Sequence, residues 1–166
     1  MMDKRACAYS FLYESSSLCD YEIATDELAS QTGLAMHYVK HSDLSKLVEL
    51  IYHANGSMRA KVAITDEDIR YLSRLYDEYV EMVGDLKYFV IPEGCLGACH
   101  LHCLRSKTKS IIRLIHKIDQ EPNREKRQIL HDFFNMLSNI FFYMALVENK
   151  NEQINEIKFV SKSYDC

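Results

Sequence analysis

Seven side chains, Leu101, Leu104, Thr108, Ile111, Ile112, Ile115 and Ile118, follow one another at helical spacing. An apolar stripe of that length has to be covered by other elements. A second stripe follows, with Ile129, Phe133, Met136, Leu137, Ile140, Met144 and Val147 in phase. Two such helices, predicted over residues 96–118 and up to about 148, are the spine of a bundle. The chain has only 5 glycines and 2 prolines in 166 residues, too few turn-formers for an all-β sandwich.

Shorter helices fit around this spine. Residues 20–39 are predicted helical, with Ile23, Leu28, Ala35 and Val39 on one side. Leu44, Leu47, Val48 and Ile51 suit a short helix after Ser42 that stops at Asn55-Gly56-Ser57. Thr65 can cap a helix whose first turn, Asp66-Glu67-Asp68, suits the positive end of the helix dipole. Ile69, Leu72, Tyr76, Tyr79 and Val83 trace its face, and Gly84 ends it. A loop over residues 85–94 carries Phe89 and Pro92, and Pro122 is expected near the start of the last helix. The expectation is an all-α four- or five-helix bundle, one domain over 1–166, with arms at 1–19 and 150–166. Residues 3–17 read as a short helix or a loop, and the tail as frayed chain or a short strand at IKFVS.

The net charge of −4 comes with no basic run, which argues against a nucleic-acid partner. No apolar stretch reaches the length of a membrane span, and the N-terminus lacks a signal-peptide core. A cytoplasmic protein is expected, with Cys7, Cys19, Cys95, Cys99, Cys103 and Cys166 reduced. No C-x-x-C pair is present, which removes zinc-ribbon and thioredoxin readings. Cys95, Cys99 and Cys103 share one helix stripe. It reads either as a metal or iron–sulfur site with His100 or His102, or as a small-residue face for close packing, and the second is the expectation.

Four segments in order carry a family resemblance: TDELASQTGLA at 25–35, FVIPEG at 89–94, HLHCLRSKTKS at 100–110 and FNMLSNIFFYMA at 134–145. They resemble the DELN helix, F-x-x-P-x-G loop, L-H-x-x-R helix and L-N-R-L-S helix of the cobalamin adenosyltransferases. AITDEDIRYLS at 63–73 and Leu104-Arg105-Ser106-Lys107 look like the ethanolamine-utilisation branch. The resemblance implies a helical bundle, a homotrimer with intersubunit sites, and transfer of the adenosyl group of ATP to reduced cobalamin with release of triphosphate. Mg2+ would accompany ATP, and a cobalamin reductase would be a further partner. Co(I) is then the nucleophile, so the protein's tasks are to position two substrates and to stabilise charge on the leaving triphosphate.

Each residue so implied has a plainer alternative. Phe89 aligns with the aromatic that shields the lower face of the corrinoid, where keeping off a lower ligand makes cobalt easier to reduce; otherwise it anchors a loop. Arg105 and Asp26 align with a salt bridge beside the corrinoid, as against a surface ion pair. Lys109 and Arg113 follow Arg105 at four-residue steps, and with Lys107 they could grip a polyphosphate or form a solvated face. Asn135 and Ser138 align with the L-N-R-L-S helix, where Asn135 would bond the nucleotide or a neighbouring helix. His102 is either near the site or a packing group. No metal ligands are assigned, since the histidine and cysteine cluster of some ethanolamine-type enzymes has no match.

The chain also departs from the family. Residues 1–19 contain no glycine, where the better-known branch has a Gly-rich phosphate loop. Ile112, Ser110 and Asn139 stand where the family has a glutamate, an arginine and an acid. Two alternatives therefore accompany the transferase: a corrinoid-binding or delivery homologue with weak or no activity, and an interaction bundle without a cofactor.

Overall fold

Five helices carry the chain in this computed structural model, which describes residues 3–163: α1 Leu18–Ala35, α2 Asp43–Ser57, α3 Asp66–Val83, α4 Leu96–Ile118 and α5 Gln128–Asn151. The all-α expectation holds among the described residues. Cys166 lies outside them. α5 packs along α4 and α3, while α1 packs along α2 and α4. α5 is the most enclosed, with Leu130, Phe133, Phe134, Leu137, Ile140, Phe141, Met144 and Ala145 all buried. A helix apolar on nearly every side belongs in the middle of a bundle. One contiguous core draws on all five helices.

Polar groups in this core are tied down. Tyr21 donates to the Ala54 carbonyl at 2.6 Å, joining α1 to α2. Thr25 and Thr32 donate to carbonyls one turn back. At α3 the cap is reciprocal: Asp68 N–H donates to the Thr65 hydroxyl, and Thr65 N–H donates to the Asp68 carboxylate at 2.9 Å. Gly84, at φ 84°, ends α3 as expected.

Several local expectations change. α1 ends at Ala35, and Ile23 is 48% exposed. Ile23 precedes Leu28 by five residues, roughly 140° around a helix, so the two cannot share a face. Asn55, Gly56 and Ser57 continue α2 rather than stop it, because Asn55 donates into α1, to the Glu22 carbonyl and the Thr25 hydroxyl. Pro122 sits in the turn after α4, short of the α5 start at Gln128. The cysteine stripe does not pack closely: Cys95 and Cys99 are partly exposed and Cys103 exposed. Close approach falls instead at Gly97, where a Cβ would lie 2.6 Å from Val39.

The N-terminal arm is mostly exposed, with a 3-10 turn at Lys4–Ala6, and it yields to helix at Leu18 rather than after residue 19. Arg59 holds it. The guanidinium donates to Glu14 at 2.6 and 3.1 Å and to Glu22 at 2.7 and 2.8 Å, and lies 3.9 Å from the Phe11 ring centroid. Burial pushes the Glu22 carboxyl up, but the hydrogen bonds from Arg59 and Tyr9 and the Arg59 charge together outweigh it, and the net shift is downward. No described helix is long and apolar enough to cross a membrane.

Candidate functional site

The loop between α3 and α4 and the tail after α5 meet in a short antiparallel pairing. Val90 bridges Lys158, Ile91 N–H donates to the Ile157 carbonyl at 2.9 Å, and Phe159 N–H donates to the Phe89 carbonyl at 2.8 Å. The expected tail strand is thus a single bridge. The pairing frames a cleft of about 690 Å³ lined by Phe89, Val90, Ile91, Pro92, Phe159 and Arg105, with Ser161 at its edge. Phe89 is 81% exposed, so it does not anchor the loop in the core. Its plainer reading fails on that observation. Phe159 is the wall that sequence reasoning missed. The weak alternation of IKFVS was its only signal.

Among the described residues, Arg105 is the one charged side chain in this apolar lining. Its Nε is buried without a hydrogen-bond partner, and its guanidinium lies 5.7 Å from the Phe142 ring centroid. Burial lowers its pKa. Ser138, buried on α5, donates to the Arg105 carbonyl at 3.3 Å and so fixes α4 against α5 here. His102 lies one turn before Arg105, is 4% exposed, and packs 6.1 Å from Phe142. Neither of its ring nitrogens has a partner. Burial first, and the Arg105 charge second, push its pKa down to about 4, which leaves it neutral at pH 7.

Asp26 is not brought to Arg105 within one chain. It is exposed and accepts from the Tyr52 hydroxyl at 2.7 Å, which raises the Tyr52 pKa. It lines a smaller cleft of about 290 Å³ with Tyr9, Glu22, Tyr52 and Asn55. Tyr52 gave no signal in the sequence. The next residue, Glu27, pairs with Lys107 across α1 and α4, so Lys107 is committed to that ion pair. Lys109 and Arg113 are exposed and make no ion pair among the described residues. Asn135 is exposed and donates to the His131 carbonyl of its own helix.

The cysteines do not converge. Cys95 caps α4, its Sγ accepting from Ala98 N–H at 3.4 Å, and Cys99 reaches the Gly94 carbonyl. Among the described residues no three His, Cys, Asp or Glu side chains are grouped to hold a metal ion. Of the departures from the family, Ile112 packs against the core, Ser110 is exposed and donates to the Ser106 carbonyl, and Asn139 is exposed.

The five-helix bundle thus carries an apolar cleft whose described lining holds one guanidinium, that of Arg105. The chain belongs to the cobalamin adenosyltransferase family, whose signature matches residues 15–148. It is 29% identical over 141 residues to a corrinoid adenosyltransferase of Citrobacter freundii, covering 78% of this chain and 79% of that protein. It is 31% identical over 102 residues to the corrinoid adenosyltransferase PduO of Salmonella typhimurium, covering 61% of this chain but only 30% of that longer protein. A solved structure of a phenylalanine-to-alanine variant of the PduO-type ATP:corrinoid adenosyltransferase from Lactobacillus reuteri, complexed with cobalamin and ATP, superimposes with a TM-score of 0.79 at 21% identity, covering 90% of each chain. An arginine-to-lysine variant of that enzyme, complexed with ATP, gives 0.78 at 23% identity, also over 90% of each. At these identities the structures show the fold.

Proposed function

We propose that this chain transfers the 5′-deoxyadenosyl group of ATP to reduced cobalamin. The cobalt–carbon bond forms as the bond from C5′ to the triphosphate oxygen breaks, giving adenosylcobalamin and triphosphate. The observation that carries the reading is the exposed Phe89 in an apolar cleft whose wall also holds Arg105. Phe89 and Phe159 exclude water and the lower ligand from one face of the corrinoid. Arg105 supplies a directional cation at the cleft edge. Lys109 and Arg113, on the same face of α4, take the triphosphate, and Asn135 the nucleotide.

One interval supports the role of Lys109. The phenylalanine and the arginine altered in the Lactobacillus reuteri variants stand twenty positions apart, the interval from Phe89 to Lys109 in this chain. Magnesium enters with ATP, as counter-ion to its phosphates. Asp26 and Arg105 complete their salt bridge between subunits of a homotrimer. Support for this is that Asp26 is exposed and, within its own chain, bonds Tyr52 in a cleft other than that of Arg105. The ethanolamine branch rests on the segments around α3 and Arg105. A reductase partner and a cytoplasmic location complete the reading, the latter supported by the free thiols of Cys7, Cys19, Cys95, Cys99 and Cys103.

The test is an anaerobic assay with ATP, magnesium and chemically reduced cobalamin, read by the adenosylcobalamin spectrum. Product is expected, and is lost on Arg105→Ala. The second reading, a corrinoid-binding or delivery homologue, draws on Ile112, Ser110 and Asn139, which leave the phosphate side with fewer charged groups. A shifted cobalamin spectrum without product would favour it.

A further inference from the structure

We propose that Asn149 is a positioning residue that pins both walls of the Phe89–Phe159 cleft from one buried carboxamide. The inference rests on the reading of that cleft as the seat of the corrinoid's lower face. Asn149 is in the last turn of α5 and only 1% exposed. Its Oδ1 accepts from Cys95 N–H at 3.0 Å, and its Nδ2 donates to the Glu93 carbonyl at 2.9 Å. Both partners flank Gly94, so the carboxamide grips the end of the loop that carries Phe89.

The same Nδ2 donates to Glu156 Oε1 at 2.9 Å, and the Asn149 carbonyl accepts from Ile154 N–H at 2.8 Å. Just before Ile154 the backbone takes a positive φ at Gln153, 58°, and runs on into the segment that carries Phe159. One side chain therefore uses its acceptor and both donors, plus its backbone carbonyl, to set loop and tail against the rigid end of α5. Buried groups left without such partners are costly, so each link is held. The fit is close: a Cβ at Gly94 (φ 132°) would lie 1.9 Å from Asn149 Oδ1. Only glycine lets the loop reach the carboxamide.

The walls matter at one stage. Cob(I)alamin has no lower ligand, so a loosened wall costs little once cobalt is reduced. Cob(II)alamin keeps a lower ligand that the walls must displace before reduction. Asn149→Ala and Glu156→Ala are therefore compared with the native protein in three ways. The first is the fraction of cob(II)alamin, with ATP and Mg2+, that loses its lower ligand, read by electron paramagnetic resonance. The second is turnover with pre-formed cob(I)alamin. The third is hydrogen exchange at the amides of Ile91 and Phe159.

Asn149→Ala is expected to cut the lower-ligand-free fraction by about fivefold or more, to change cob(I)alamin turnover by less than about threefold, and to speed exchange at both amides. Glu156→Ala, which cuts only the tail link and keeps the carboxamide in the core, should give the same pattern in smaller size. It carries the test if the first variant does not fold. Equal loss in both assays would mean general destabilisation and would overturn the proposal, as would native values throughout. Phe89→Ala separates the two ideas. If it keeps the native fraction, the reading of the cleft fails and the inference with it. If it loses the fraction while both other variants keep it, only the role of Asn149 falls.

Discussion

Phe159 donates its backbone N–H to the carbonyl of Phe89, and that bond puts two aromatic side chains on facing segments of one cleft. Loop and tail are otherwise separated by two helices. Phe159→Ala keeps the backbone bond and removes one wall. Turnover from cob(II)alamin with a dihydroflavin reductant should fall about tenfold, with the KM for ATP unchanged. Loss in the KM for ATP instead would put Phe159 on the nucleotide side.

Lys109 offers a point charge where an arginine would offer a planar fork. Exposed on α4 and without an ion pair, it is open to a phosphate. Lys109→Arg should lower the KM for ATP roughly threefold through bidentate contact, with little change for the corrinoid. An unchanged KM together with an inert Lys109→Ala would remove this residue from the phosphate site.

His102 should make the fold sensitive to acid. Its folded pKa is depressed to about 4, below the ordinary 6.5, so the unfolded chain takes up the proton first as pH falls. The contribution is complete above pH 6.5, is lost between 6.5 and 4, and changes no further below that. His102→Leu removes two unpartnered buried nitrogens, and at pH 5 it should raise stability by roughly 1 kcal/mol or more. Denaturant melts of both proteins at pH 5 and pH 7 check this. An equal difference at the two pH values would show that His102 is not the titrating group.

Arg59 is the lock of the N-terminal arm. Arg59→Ala leaves Glu14 and the buried Glu22 without their partner, and should cost about 2–3 kcal/mol. Limited proteolysis should then cut within residues 3–17 faster than in the native protein. Unchanged cleavage would mean that the arm is held by its aromatics alone.

The helices were legible because period and caps are local. The stripes of α4 and α5, the Thr65 box and the Gly84 stop all fall where spacing put them. Errors came where the helical period was misjudged, as at Ile23, or where a tertiary bond overrides a local signal. Asn55 and Gly56 read as a stop, but Asn55 bonds α1 and the helix runs on. In the candidate site, Phe89 and Arg105 were named through resemblance, and they do share one cleft. Phe159, Tyr52 and Asn149 were not, because each acts through a contact with chain far away in sequence. Nothing in the spacing of Asn149 announces a carboxamide shared by a loop and a tail.

Asp26 turns to Tyr52, and Arg105 lies in a different cleft of the same chain. In a trimer that completed the pair between neighbours, each working centre would be shared by two chains. Two defective variants, Asp26→Ala and Arg105→Ala, would each be inactive alone. Expressed together, they would form mixed assemblies in which one junction joins an intact Asp26 to an intact Arg105, and partial activity would return.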